Sequence, residues 1–146
     1  MPFFLSGRTS LATGIGEKLT SVTLPTDYFI VLVYPNIEIS TAWAYKNFNF
    51  SLTRTKKIIK LSQILLKKIN KFEWQYFLQN DFEDIVFKEF PELRGIKKKL
   101  YQQGAFYASL SGSGSALFGM FKTILEAEEA AENVLKSYQT ILARPL

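Results

Sequence analysis

With 146 residues, 47% of them hydrophobic and 13 of them phenylalanine, the chain is too apolar to be disordered and long enough for one ordinary core. It has no cysteine and no histidine, which excludes disulfides, thiolate nucleophiles, imidazole triads and the usual zinc ligand sets. The net charge of +5 lies largely in the lysines of "TRTKKIIKLSQILLKKINK" and of Lys97 to Lys99, where solvated helix faces account for it better than a nucleic-acid footprint.

Residues 3–23 read as a β-ribbon, with Thr, Leu, Ile and Val in loose alternation around the turn "TGIGE". Gly14 and Gly16 are turn glycines there, because no strand-to-helix context follows them. "DYFIVLVYP", Asp27 to Pro35, is a run of β-branched and aromatic residues ended by proline, the pattern of a buried central strand. A short helix over "AWAYKNF" is predicted next, with Ser40 or Thr41 as its N-cap. Ile58, Leu61, Leu65 and Ile69 then make an apolar helical stripe. Asn70 before Glu73, and Asn80 before Glu83, each resemble a helix start in which the cap is answered at the third position. Asp81 falls inside the second of these and is read as structural. Pro91 opens another helix with the stripe Leu93, Ile96 and Leu100, and Gly104 closes it.

Two strands, "AFYASL" and "SALFGMF", flank a loop of alternating serine and glycine. Thr123 and Glu126 form a capping box for a last helix, whose stripe is Ala127, Ala130, Ala131, Val134, Leu135 and Tyr138. "TILARPL" can return to a sheet edge. This order predicts an α+β fold: a ferredoxin-like split β-α-β antiparallel sheet covered by helices on one face, with the N-terminal ribbon left over. No apolar run approaches the roughly 18 residues of a membrane span. "MPFFLSGRTS" lacks the basic and apolar regions of a signal peptide, so the expectation is a cytoplasmic protein with no membrane association.

Without imidazole or thiol, chemistry is left to carboxylates, lysines, hydroxyls and backbone dipoles, a list that suits phosphoryl transfer. The loop Ser111, Gly112, Ser113, Gly114, Ser115 fits that chemistry, because small residues let backbone N–H groups approach an anion. A glycine hairpin that is tight only for packing fits the same residues.

Four segments, in order, resemble the C-terminal half of the GHMP-type small-molecule kinases: "PFFLSGRTSLATGIGEKL", "YPNIEISTAWAY", "NDFE" and "GAFYASLSGSGSALFGMF". The resemblance implies that Ser111 to Ser115 is the phosphate-side loop at a cleft between two domains. It also implies that Thr41 hydrogen-bonds the acceptor and that Tyr45 stacks on a cytosine ring, the acceptor being a cytidine-diphosphate-linked methylerythritol of the non-mevalonate isoprenoid route. By residue type alone Thr41 is a cap and Tyr45 a core residue. In the family a catalytic aspartate stands just before the segment matching Pro2 to Phe4. Met1 occupies the intervening position here, so the aspartate would precede Met1 and no catalytic residue is expected in this chain. The partnering lysine and the main phosphate loop lie further upstream in the family. The expectation is therefore the C-terminal portion of a longer kinase using ATP with Mg2+, inactive by itself. Residues 1–26 would belong with the absent N-terminal kinase domain and 27–146 would form the C-terminal domain. The alternative is a non-catalytic ferredoxin-like module that binds a protein or nucleic acid.

Overall fold

The computed structural model describes residues 10–15, 17–48 and 70–145. First in the chain is a two-stranded antiparallel ribbon, β1 (Ser10–Thr13) with β2 (Lys18–Ser21), and Gly14 takes a positive φ of 71° in its turn. Among the described residues the ribbon shares no strand pairing with the main sheet. The predicted stripe at Ile58, Leu61, Leu65 and Ile69 lies outside the described residues.

The main sheet is built around β3 (Phe29–Tyr34), which pairs antiparallel with β5 (Leu117–Phe121) on one side and β6 (Gln139–Ala143) on the other. β4 (Tyr107–Leu110) pairs with β5 and completes the order β4-β5-β3-β6. This is the split β-α-β arrangement that the sequence predicts, with "TILARPL" supplying the edge strand.

Helix α1 (Thr41–Asn47) follows β3. A single 3₁₀ turn (Lys71–Glu73) runs into the one-turn α2 (Trp74–Phe77). Then come α3 (Glu83–Glu89) and α4 (Pro91–Gln102) before β4, and α5 (Ile124–Leu135) between β5 and β6. Local signals set these boundaries. Pro91 stands at the first turn of α4, and Gly104, at φ 96°, turns the chain away after it. Thr123 and Glu126 complete the reciprocal capping box of α5.

Strand alternation sends Val31, Val33, Ala108, Leu110, Leu117 and Phe121 to one face, under Val86, Leu93, Ile96, Leu100, Ala127, Ala130 and Val134 from α3, α4 and α5. All are buried, and they form the main core. The opposite face carries a smaller aromatic cluster of Trp74, Phe106 and Tyr107, flanked by Tyr28, Phe72, Phe118 and Met120. That cluster explains why Asn70 and Glu73 do not begin a longer helix. Asn70 caps Phe72 as expected, but Phe72 and Trp74 turn onto the sheet's second face within one turn. Among the described residues no helix is long and apolar enough to cross a membrane.

β4 is an edge strand, and three side chains occupy its outward polar groups. The Tyr101 hydroxyl accepts from Ala108 N at 3.2 Å and donates to Ala108 O at 3.3 Å. Glu83 Oε1 accepts from Leu110 N at 3.0 Å, and Asn80 Nδ2 donates to Leu110 O at 2.8 Å. Burial pushes the phenols of Tyr101 and Tyr107 above their ordinary range.

Candidate functional site

The Ser/Gly loop joins β4 to β5. Gly112 (φ 57°) and Gly114 (φ 94°) lie in the left-handed half of backbone space, while the serines between and around them do not. Alternation of this kind is how short loops gather successive N–H groups into an anion-binding concavity. Ser111 N donates to Ala116 O at 2.8 Å and Gly114 N to Ser111 O at 3.0 Å, which closes the turn. Among the described residues the N–H groups of Gly112, Ser113 and Ser115 have no acceptor. A Cβ at Gly112 would meet nothing within 4 Å, whereas one at Gly114 would meet Ile39 Cδ1 at 3.1 Å and Leu110 Cδ1 at 3.3 Å. The two glycines therefore differ: Gly112 borders open space and Gly114 is packed.

The loop is tied to what precedes α1. The Ser115 hydroxyl donates to Ile37 O, and Thr41 Oγ1 lies 3.2 Å from Ser113 Oγ. Ser40 is the N-cap of α1, with its hydroxyl accepting from Trp43 N at 3.4 Å, so Thr41 is not the cap. The Thr41 hydroxyl is left for the loop. One turn on, at the spacing that shares a helix face, Tyr45 is 59% exposed and is not the core residue that its type suggests. Its ring stands perpendicular to Phe82, with centroids 5.1 Å apart.

Tyr45 and Phe82 form one wall of a cleft of about 590 Å³, and Tyr107, Ser109 and Phe118 form the sheet side. Asn80 and Asp81 also line it. Asp81 is exposed and makes no hydrogen bond or ion pair among the described residues, so the structure does not give it the helix-start role read from sequence. No cluster of three or more potential metal ligands occurs among the described residues. Met1, the position that the family's catalytic aspartate would precede, lies outside the described residues, as do Pro2 to Phe4. The site is therefore drawn from α1, the start of α3, β4 and the loop.

Sequence reasoning missed Asn80 and Glu83 as parts of this site. Asn80 Oδ1 accepts from Phe82 N at 3.0 Å, as a cap would, but its amide nitrogen reaches 2.8 Å from both Leu110 O and Gly112 O. Glu83 does not answer the cap. Its carboxylate takes Leu110 N and the Ser109 hydroxyl on one oxygen and pairs with Lys97 at 2.6 Å on the other. Leu110 N, on the outward edge of β4, has no other acceptor among the described residues, and this outcompetes a local box. The quoted "NDFE" resemblance is the available signal.

The family model described as "GHMP kinases C terminal" matches residues 56–140. The chain belongs to that family. Among relatives, the 4-diphosphocytidyl-2-C-methyl-D-erythritol kinase of Chlorobium phaeobacteroides is 40% identical over 146 residues, covering 99% of this chain and 51% of the relative. The chain spans about half the length of the curated relatives it matches. A crystal structure of 4-(cytidine 5'-diphospho)-2C-methyl-D-erythritol kinase superposes with a TM-score of 0.71 at 26% identity, covering 98% of this chain and 52% of that one. Homoserine kinase from Cytophaga hutchinsonii, at 17% identity, has a TM-score of 0.67 over 94% of this chain and 47% of its own, which speaks to the fold alone. Membership of the GHMP kinases disfavours the alternative of a free-standing binding module.

Proposed function

We propose that this chain is the acceptor-side, C-terminal portion of an ATP-dependent kinase that phosphorylates a hydroxyl of 4-diphosphocytidyl-2-C-methyl-D-erythritol in isoprenoid biosynthesis. The observation that carries the reading is the meeting of α1 with the Ser/Gly loop, Thr41 Oγ1 being 3.2 Å from Ser113 Oγ. Residues that the resemblance assigns to acceptor and to phosphate are thereby neighbours, as transfer between the two requires. The names of relatives that match nearly the whole chain support this choice of acceptor.

In this reading Tyr45 offers an aromatic surface to the cytosine, and Thr41 fixes the acceptor by its hydroxyl. The N–H groups of Gly112, Ser113 and Ser115 hold negative charge on the phosphoryl side of the cleft, where preorganised donors lower the barrier. ATP with Mg2+ would supply the phosphoryl group, and the free N–H groups of the loop fit its phosphates. The described residues bring together no cluster of metal ligands, so no step is assigned to the cation here. The partner is an N-terminal kinase domain carrying the catalytic aspartate.

The test is an assay of the complete kinase with ATP and the cytidine-linked acceptor, following ADP release and the phosphorylated product. Turnover is expected there, and none from the 146-residue chain alone. Turnover with homoserine and not with the cytidine-linked acceptor would reassign the substrate. Transfer to no hydroxyl acceptor at all would end the reading.

A further inference from the structure

We propose that Asn80 is a positioning residue that sets which way the Gly112–Ser113 peptide faces, and so whether the Ser/Gly loop offers an N–H or a carbonyl to an anion. The inference rests on the phosphate-side reading of the loop but not on the identity of the acceptor.

Three contacts determine the orientation of the Asn80 amide. Its oxygen accepts from Phe82 N at 3.0 Å, while its nitrogen stands 2.8 Å from Leu110 O and 2.8 Å from Gly112 O. The reverse orientation would set an oxygen against two carbonyls and an NH2 against an N–H, so only one assignment is compatible with the surroundings. Both amide hydrogens and the oxygen are engaged. The side chain has a single fit.

The consequence lies one bond further on. In a trans peptide the C=O and the following N–H point in opposite directions, and the Gly112–Ser113 bond is trans. With Gly112 O drawn toward Asn80, the Ser113 N–H must point away from it, and no described residue accepts that N–H. Gly112, at φ 57° with open space around it, has the freedom to let this peptide rotate. A rotated peptide would turn the Gly112 carbonyl to the side where the Ser113 N–H now stands. Anions would then meet a partial negative charge in place of a donor. Asn80 opposes that rotation from 32 residues away in sequence, by a bond that a carboxylate at the same position cannot make.

The experiment is Asn80→Asp in the complete kinase. The substitution keeps the shape and the acceptor for Phe82 N but replaces the double donor by a carboxylate that repels both carbonyls. A crystal structure of the variant is expected to show the Gly112–Ser113 peptide turned over, with the Ser113 N–H on the carboxylate. At pH 8, kcat/KM for ATP is expected to fall about 10²-fold, the usual loss for one misplaced anion donor. As the pH falls toward the ordinary aspartate pKa of about 3.9, the gap to the native enzyme at the same pH is expected to narrow, because a protonated carboxyl regains a donor for Gly112 O. A merely structural role would lower the melting temperature and leave that pH dependence out. Should Asn80→Asp fail to fold, Asn80→Ser decides instead, with the same loss at pH 8 and no recovery as the pH falls toward about 3.9. A peptide that keeps its orientation, or a kcat/KM for ATP within twofold of the native enzyme at pH 8, overturns the inference. A native enzyme inactive with the cytidine-linked acceptor removes the earlier substrate reading, and the crystal structure still decides this one.

Discussion

The two faces of the main sheet are made by the same strands and answer to different demands. On one face, Val31, Val33, Ala108, Leu110, Leu117 and Phe121 are aliphatic or fully enclosed, and three helices cover them. On the other, Tyr107, Ser109 and Phe118 alternate with those residues and line a cleft open to Tyr45. A period of two lets one short strand serve both. The helix-covered face holds the main core, and the second face, beyond its smaller aromatic cluster, opens into the cleft that carries the proposed chemistry, with the loop at its end. If that division is right, substitutions on the first face should cost stability, and those at the exposed rim of the cleft on the second, such as Tyr45, should cost ligand.

The largest effect is expected on the covered face. Phe121 is fully buried there, and Phe121→Ala should cost about 3–5 kcal/mol. Urea unfolding checks this, and a loss below about 1 kcal/mol would mean that the helix-covered face is not the main source of stability. Next is Tyr45→Ala on the open side. Loss of a stacking surface worth about 1–3 kcal/mol should weaken acceptor binding, read as a rise in the acceptor KM in the complete kinase. Its melting temperature should stay close to that of the native protein, because Tyr45 is mostly exposed. A variant with unchanged KM and a much lower melting temperature would erase the distinction between the faces.

The smallest effect sharpens the comparison inside the loop. Gly112→Ala and Gly114→Ala each place a Cβ on a positive-φ residue, at about 1 kcal/mol or somewhat more. Only at Gly114 does the new methyl also press on Ile39 and Leu110. Gly114→Ala should therefore melt lower than Gly112→Ala, while Gly112→Ala should lose more activity than its melting temperature explains. Paired melting curves and steady-state rates separate the two glycines.

Much of the fold is legible in the sequence because its signals are local. Stripes such as Leu93, Ile96 and Leu100, the box at Thr123 and Glu126, and Pro91 at the start of α4 all act within a few residues of themselves. The apolar run Asp27 to Pro35 likewise announces a central strand. The site is harder to read. Thr41 and Tyr45 are marked by resemblance, while their residue types point to a cap and a core position that the structure gives to neither. Asn80 and Glu83 read as a capping box, because their actual partners lie on β4 and in the loop, far along the chain. A side chain that bonds a remote carbonyl leaves no period and no spacing to detect. The 3₁₀ turn and α2 escape for a related reason: Phe72 and Trp74 answer to the sheet's second face and not to a helical stripe.

The placement of β3 governs how the chain can be assembled as it is made. Val31 pairs with Gly119 on one side and with Leu142 on the other. Both neighbours of the most apolar strand are therefore translated long after it, and neither can dock until the ribosome has passed them. Contacts of such long sequence separation are slow to close, and an unpaired apolar strand is exposed to association while it waits. A nascent chain halted before Gln139 would hold Phe29–Tyr34 with one edge bare. With the order β4-β5-β3-β6, both edges of β3 can be paired only once the last strand has been made.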